Sequence, residues 1–362
     1  MRRGILILLP LVLLLFLGTC SETDDDSDSE ADQEPIIWYD FSAQAPWYEC
    51  PEENFPDDAT IVTAFDQSYH YYGAENRREI LEMVDFPQTN NWSQVGLMLK
   101  LECPEGGECD NWDRSGSIQL VLNPADDEQN WEYLEIVRHI TPYRVGMCQF
   151  IDVTPLASLF VGQQFLNSWI DTWVGPGSPY GEGWRLTVQF VFYPGPSGAA
   201  DQVINIWGRK NIVVGYIEED NNVDSQIDPV TVTIPAEAAK VEARLITTGH
   251  SFGNTYNCAE FCQMRQDVLV NNELYSVNPW RDDCEDNPVK PQYGTWRYDR
   301  NGWCPGAIVV GHIIDVTSAL TLGDDNVIDF DIRLANGEEY HNTDPVDLDP
   351  YELISLQLYV YQ

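Results

Sequence analysis

An all-β protein built from two antiparallel sandwiches is what this sequence predicts, and three observations predict it. Its apolar residues come in short runs rich in Val, Ile, Leu and aromatics, often alternating with polar residues. Turn-forming stretches such as "YPGPSGAA", "NPADDEQN" and "LGDDN" separate those runs. A weak internal echo then divides the chain, because "IDVTPLASLFVGQQFLNSWIDTW" from Ile151 resembles "IDVTSALTLGDDNVIDFDIRLANG" from Ile314.

The N-terminal segments come first. Residues 1–20, "MRRGILILLPLVLLLFLGTC", place two arginines before an apolar run and small residues, the pattern of a secretory signal. Its end, "LGTC", resembles a bacterial lipoprotein signal in which Cys20 becomes the lipidated first residue; Ser21 after it favours the outer membrane by analogy with enteric lipoproteins. Thr19 departs from the usual Gly, Ala or Ser, so ordinary cleavage and free secretion stay open. Residues 21–57 form an acidic tether and N-terminal extension, whose start, "SETDDDSDSEADQEP", has too few apolar side chains to bury a core. It lacks the glycine and distal glutamate of a calcium-binding EF-hand loop.

The first sandwich is expected over 58–195 and the second over 196–362, joined near "YPGPSGAADQ". Strand-like runs are "SGSIQLVL", "WEYLEIVRHI" and "WRLTVQFVFY" in the first, and "TVTI", "VEARLITT", "DVLVNNELY", "AIVVGHIIDV", "VIDFDIRL" and "LISLQLYVYQ" in the second. "AENRREILEMV" is the one stretch with a competing helical period. A cleft between two related sandwiches is a natural ligand site.

Composition narrows function. With 19 basic against 59 acidic residues and a formal net charge of -40, the chain has no clustered cations to meet phosphates, which sets nucleic acid aside as a partner. A carboxylate-rich surface fits a saline habitat better than a specific cationic partner. Eight cysteines follow Cys20 in an exported chain, enough for four disulfides. Cys103 with Cys109 and Cys258 with Cys262 are close pairs, Cys284 and Cys304 are spaced to close a longer loop, and Cys50 and Cys148 are left for each other. Zinc is the competing reading, but the spacings do not repeat as Cys-x-x-Cys.

The five histidines are scattered, so no metal or other cofactor is expected, and there is no Gly-x-Ser-x-Gly elbow or phosphate loop. What remains is carboxylates beside aromatics, in "CDNWDR", "WIDTW", "CAEFC" and "DRNGWCPG". That pairing suits carbohydrate, whose C–H faces pack on rings while its hydroxyls donate to carboxylates.

The segments "ECPEGGECDNWDR", "RHITPYRVG", "IDVT", "NCAEFC" and "RNGWCPG", in that order, resemble the bacterial peptide-N-glycosidase F family, amidases that release N-linked glycans from asparagine. The resemblance runs over about residues 58–362. It implies two side-by-side antiparallel jelly rolls, a fold shared with copper-dependent peptidylglycine monooxygenases, whose clustered His and Met ligands are not visible here. It also implies a site. The principal catalytic carboxylate is the second acid of Cys-Asp-x-Trp-Asp-Arg, here Asp113; a second lies inside Cys-Ala-Glu-x-Cys, here Glu260; a third precedes Thr-Trp, where Asp171 replaces the family's Glu. Trp112, Arg114, Trp173, Arg300 and Trp303 match positions that line or shape the cleft, and Asp110 reads as surface charge.

Hydrolysing the amide between asparagine and N-acetylglucosamine requires a water to attack the carbonyl and the departing nitrogen to gain a proton. An ordinary Asp is fully ionised at neutral pH, so desolvation and a neighbouring carboxylate are expected to raise one member of the pair. On this reading Asp113 meets the scissile linkage, Glu260 assists through water, and Asp171 accepts sugar hydroxyls. Asp171 is one methylene shorter than Glu, and Phe261 replaces a family Trp. The protein is expected to be a monomer; a catalytically inactive relative that binds glycans or proteins at the cell surface is the first alternative, and a copper-dependent monooxygenase the second.

Overall fold

The computed structural model describes residues 50, 55–89, 91–216, 222–309 and 311–362; the leader, Cys20 and most of the acidic tether lie outside them. The described chain is dominated by antiparallel strands. In the first half, one sheet orders Thr60–His70, Trp184–Pro194, Trp92–Glu102 and Met147–Asp152. The facing sheet orders Tyr133–Ile140, Ser115–Val121, Gly162–Ile170 and Glu79–Phe86. Counted from the first strand, those orders are 1-8-3-6 and 5-4-7-2, so the chain crosses between sheets in the manner of a jelly roll. Alternating inward residues from both sheets, among them Leu97, Val188, Phe190, Ile136 and Leu166, share one fully buried core.

The second half repeats the design. Gln202–Val213, Tyr351–Tyr361, Lys240–His250 and His312–Asp315 make one sheet; Val230–Thr233, Asp325–Leu334, Met264–Val270 and Glu273–Val277 make the other. Counted within this half the orders are again 1-8-3-6 and 2-7-4-5. Leu245, Leu356, Val268 and Phe330 belong to its separate core.

The echo in the sequence is a shared turn. Asp152 Oδ1 accepts the Thr154 N–H at 2.8 Å, and Asp315 Oδ1 accepts the Thr317 N–H at 3.0 Å. Each threonine Oγ1 in turn accepts a backbone N–H from a neighbouring strand, Val95 or Val241, both at 2.9 Å. Satisfying the backbone donors of the turn by the same Asx geometry fixes the same crossover in both halves.

The halves meet through buried polar groups. Glu135 and Arg138, both fully buried, pair at 2.6 Å, and Ser355 Oγ and Gln357 Nε2 each donate to Glu135 at 2.6 Å. Arg138 Nη1 also donates to the Leu353 carbonyl at 2.6 Å and to Thr248 Oγ1 at 3.1 Å. Every charge there has a partner, which is the condition for tolerating it in the interior.

Between the fifth and sixth strands of the second jelly roll, residues 278–311 form an insertion. It holds the two-stranded ribbon Trp280–Arg281 with Arg300–Asn301, the Cys284–Cys304 disulfide, and Ala307–Ile308, which extends the first half's sheet by pairing with Tyr133–Ile140.

Three expectations change. "AENRREILEMV" is not helical: its apolar end, with Ile80 and Val84, pairs with Gly162–Ile170 as part of the strand Glu79–Phe86. "DVLVNNELY" is a hairpin, because Asn271 and Asn272 adopt φ of 50° and 68°, the left-handed pair a two-residue turn needs. "AIVVGHIIDV" splits between Ala307–Ile308 and His312–Asp315, in different sheets.

Candidate active site

Asp113 and Glu260 sit on equivalent loops. Each follows the third strand of its jelly roll and precedes the fourth, and each loop is closed by its own disulfide, Cys103–Cys109 or Cys258–Cys262. Cys50–Cys148 and Cys284–Cys304 complete four bridges.

In the first loop the organising group is Asp110. It is fully buried, and its carboxylate accepts Arg114 Nε at 2.9 Å, Thr172 Oγ1 at 2.7 Å and the Trp112 N–H at 3.1 Å. The expectation of a surface charge was therefore wrong: three donors hold this anion inside, and it ties the Asp113 loop to the segment carrying Asp171. Gly181, at φ 100°, lies so close to the Cys109 carbonyl that no Cβ fits there.

The second loop winds through Ser251, Tyr256 and Asn257, all at positive φ. The Glu260 N–H reaches the Ser251 carbonyl at 3.3 Å, and the Glu260 carbonyl accepts the Asn301 N–H at 2.9 Å.

Arg300, from the insertion, joins the two loops. Its guanidinium is fully buried and reaches Glu260 Oε1 at 3.2 Å through Nε and Asp113 Oδ2 at 3.5 Å through Nη2. Bonds to the carbonyls of Thr295 and Tyr298, both 2.9 Å, and to Thr295 Oγ1 at 2.8 Å lock it in place. Trp303, nearly buried, packs its ring 4.6 Å from that guanidinium and donates its indole N–H to the Gly249 carbonyl, so it shapes the site from below. Phe261 lies 5.0 Å from the guanidinium on another side.

The two carboxylates keep 15% and 12% of their side-chain exposure, enough for a substrate atom to reach them. Burial raises Asp113 above the ordinary aspartate value, opposed by the Arg300 charge and by the Tyr143 hydroxyl, which donates to Oδ2 at 2.8 Å. Burial pushes Glu260 up to about 7; Arg300 opposes the shift and the Asp113 charge adds to it. The pair thus brings one carboxylate supported by a hydroxyl donor beside another that exchanges its proton near neutrality.

Asp171 is not on Arg300. It follows the strand Gly162–Ile170 and pairs with Arg78 Nη1 at 3.3 Å; burial raises it, against Arg114 and Arg78. Arg78 lies 4.1 Å from the Trp173 ring and 5.1 Å from Tyr72. Trp112 and Trp173 are each half exposed, as sugar-facing rings would be, and Tyr72 packs edge-on against Trp173. Tyr351 feels both Asp171 and Glu260 and, burial contributing most, rises to about 12. Tyr143, Arg78, Tyr72 and Tyr351 were missed by the sequence reading; Tyr143 alone carried a signal, inside "RHITPYRVG". Among the described residues, no group of three or more His, Cys, Asp and Glu is arranged to hold a metal ion.

Comparisons with known proteins bear on the family and the fold. Residues 219–345 match the family model described as peptide-N-glycosidase F, C terminal. The peptide-N(4)-(N-acetyl-beta-D-glucosaminyl)asparagine amidase F of Elizabethkingia miricola is 26% identical, over 74% of this chain and 76% of its own. Over those lengths the chain is similar to the peptide-N-glycosidase F family. Two solved structures carry the same fold: PNGase F from Flavobacterium meningosepticum superposes with a TM-score of 0.70 at 23% identity, covering 84% of this chain and 96% of that one. PNGF-II superposes with a TM-score of 0.65 at 15% identity, covering 84% of this chain and 65% of that one.

Proposed function

We propose that this protein is an exported amidase that hydrolyses the bond between asparagine and N-acetylglucosamine in N-glycoproteins or glycopeptides. The observation that carries the reading is one buried guanidinium, Arg300, holding two partly exposed carboxylates from equivalent loops of two jelly rolls. Asp113, whose anion Tyr143 and Arg300 favour against the effect of burial, accepts the N–H of the scissile amide. Glu260, ionised above about pH 7, takes a proton from the water that attacks the carbonyl. The C–N bond then breaks, and Glu260 returns that proton through water to the departing glycosylamine nitrogen. Water supplies the hydroxyl of the new aspartate and the nitrogen keeps its electron pair, so atoms and charge balance.

Asp171 with Arg78, flanked by Trp173 and Tyr72, offers an acceptor, a cation and ring faces that suit sugar hydroxyls and C–H surfaces. Four disulfides fit an oxidising extracellular compartment. Lipid attachment at Cys20 and an outer-membrane address belong to the same proposal and rest on the leader sequence alone.

The test is to incubate the purified protein with a denatured N-glycoprotein and measure released glycan together with the conversion of Asn to Asp by mass. Asp113→Asn and Glu260→Gln should each remove the conversion. A second reading, a glycan-binding relative without turnover, draws on the shorter Asp171 and on Phe261; it predicts no conversion by wild type but retained glycan binding. The copper alternative predicts stoichiometric copper in the purified protein.

A further inference from the structure

Behind the carboxylate pair lies a third acid that the mechanism does not use. Glu352, at the start of the strand Tyr351–Tyr361, is fully buried. Its Oε1 accepts Asn301 Nδ2 at 2.6 Å and its Oε2 accepts Thr247 Oγ1 at 3.2 Å. Space around it is tight: a Cβ on Gly249, the residue opposite it in the ladder, would stand 2.8 Å from Oε1 and 2.6 Å from Asn301 Nδ2. Asn301 is the residue after Arg300, and its own N–H holds the Glu260 carbonyl at 2.9 Å. One residue, Asn301, therefore links Glu352 through its side-chain amide to the peptide that delivers the guanidinium, and through its backbone N–H to the Glu260 carbonyl.

We propose that Glu352 is a positioning residue for the candidate site: through the Asn301 amide it fixes the Arg300–Asn301 strand, and thereby the placement of the Arg300 guanidinium against Glu260. This rests on the amidase reading for its effect on rate, but not for its effect on Glu260. Glu352 touches neither substrate nor reacting atoms. Burial favours its neutral form, raising it to about 8 against the pull of Thr247 and of the Arg138 charge, and a neutral acid has the shape and acceptor oxygen of a glutamine. Glutamine should therefore replace it, and alanine should not.

The test uses the whole mature chain and four variants: Glu352→Gln, Glu352→Ala, Asn301→Ala and Thr247→Val, each checked for native circular dichroism. Glu260 is titrated by carbon NMR of its side-chain carboxyl, and kcat and KM are measured on a glycopeptide. With Arg300 displaced, Glu260 loses its main stabilising cation, so its midpoint should rise by about one unit in Glu352→Ala and Asn301→Ala. In those two variants kcat at pH 7 should fall by about tenfold or more with KM within about threefold. Glu352→Gln and Thr247→Val should match wild type in both readouts. If Glu352→Ala does not fold, Asn301→Ala carries the test, since it leaves the buried carboxyl in place. An unmoved Glu260 midpoint in the folded alanine variants overturns the proposal, as does a Glu352→Gln protein that behaves like Glu352→Ala. A wild type that releases no glycan sinks the amidase reading, while the titration still decides this one.

Discussion

Replacing Tyr143 by Phe removes one hydroxyl and little else. That hydroxyl donates to Asp113 Oδ2 at 2.8 Å and lies 3.2 Å from Thr295 Oγ1, which keeps its bond from Arg300 Nη2 at 2.8 Å. No buried group is orphaned except the carboxylate itself. A hydrogen bond to a charged group is worth roughly 1.5–3 kcal/mol, and Asp113 keeps Arg300 and 15% exposure, so the lower end applies. At 1.36 kcal/mol per unit this is a rise of about one unit in the Asp113 midpoint. The carboxylate that receives the amide N–H is then less favoured as the anion and less well oriented, and kcat/KM should fall by up to about tenfold. Carbon NMR of the Asp113 carboxyl and a pH–rate profile on a glycopeptide measure both effects, and the midpoints belong to the coupled pair with Glu260. An Asp113 midpoint that stays put or falls would show that the hydroxyl does not support the anion, and the assignment of Asp113 as the charged partner of the amide would fail.

Further outcomes follow from the same geometry. Wild-type activity should rise as pH increases through about 7, where Glu260 loses its proton; a profile that falls over that interval would make Glu260 an acid rather than a base. The folded protein holds that proton up to about 7, whereas an unperturbed Glu releases it near 4.5. Ionising Glu260 therefore penalises folding progressively from about 4.5 to 7 and fully above, with no penalty below that window. The Tm of Glu260→Gln relative to wild type should accordingly grow more favourable from pH 4 to pH 8, and a constant difference would contradict the raised value. Asp110→Ala leaves Arg114 without its partner and should lower the stability measured in urea by about 3 kcal/mol; a loss under about 0.5 kcal/mol is what a surface charge would give. Asp171→Glu adds roughly 1 Å of reach and should raise kcat/KM on glycopeptides several-fold, whereas a decrease would mean that Arg78 has set the working length.

The architecture was legible because its determinants are local. Alternating strands, turn residues and the repeated Ile-Asp-Val-Thr turn all act over a few residues, and the cysteines mark the two site loops in the sequence itself. Hairpin register was not: "DVLVNNELY" reads as one run until the left-handed conformation of Asn271 and Asn272 is seen. Asp110 was misread because its burial depends on Thr172, more than sixty residues away, and on Arg114 folding back. The same holds for Arg78 and Asp171, brought together by the pairing of Glu79–Phe86 with Gly162–Ile170. Arg300 was placed on the site by resemblance; that one guanidinium spans both carboxylates is a tertiary fact no spacing encodes.

The short strand Ala307–Ile308 has a consequence for how the chain is made. It closes the edge Tyr133–Ile140 of the first jelly roll with residues from the second half. An intermediate in which the first eight strands have paired before the insertion docks would leave that edge's amides unbonded, a template for other chains. The edge is capped when the insertion arrives, and the insertion also brings Arg300. Completion of the first sheet and delivery of the shared cation therefore depend on one insertion, so a truncated product ending before Ala307 would carry an exposed edge without its cap.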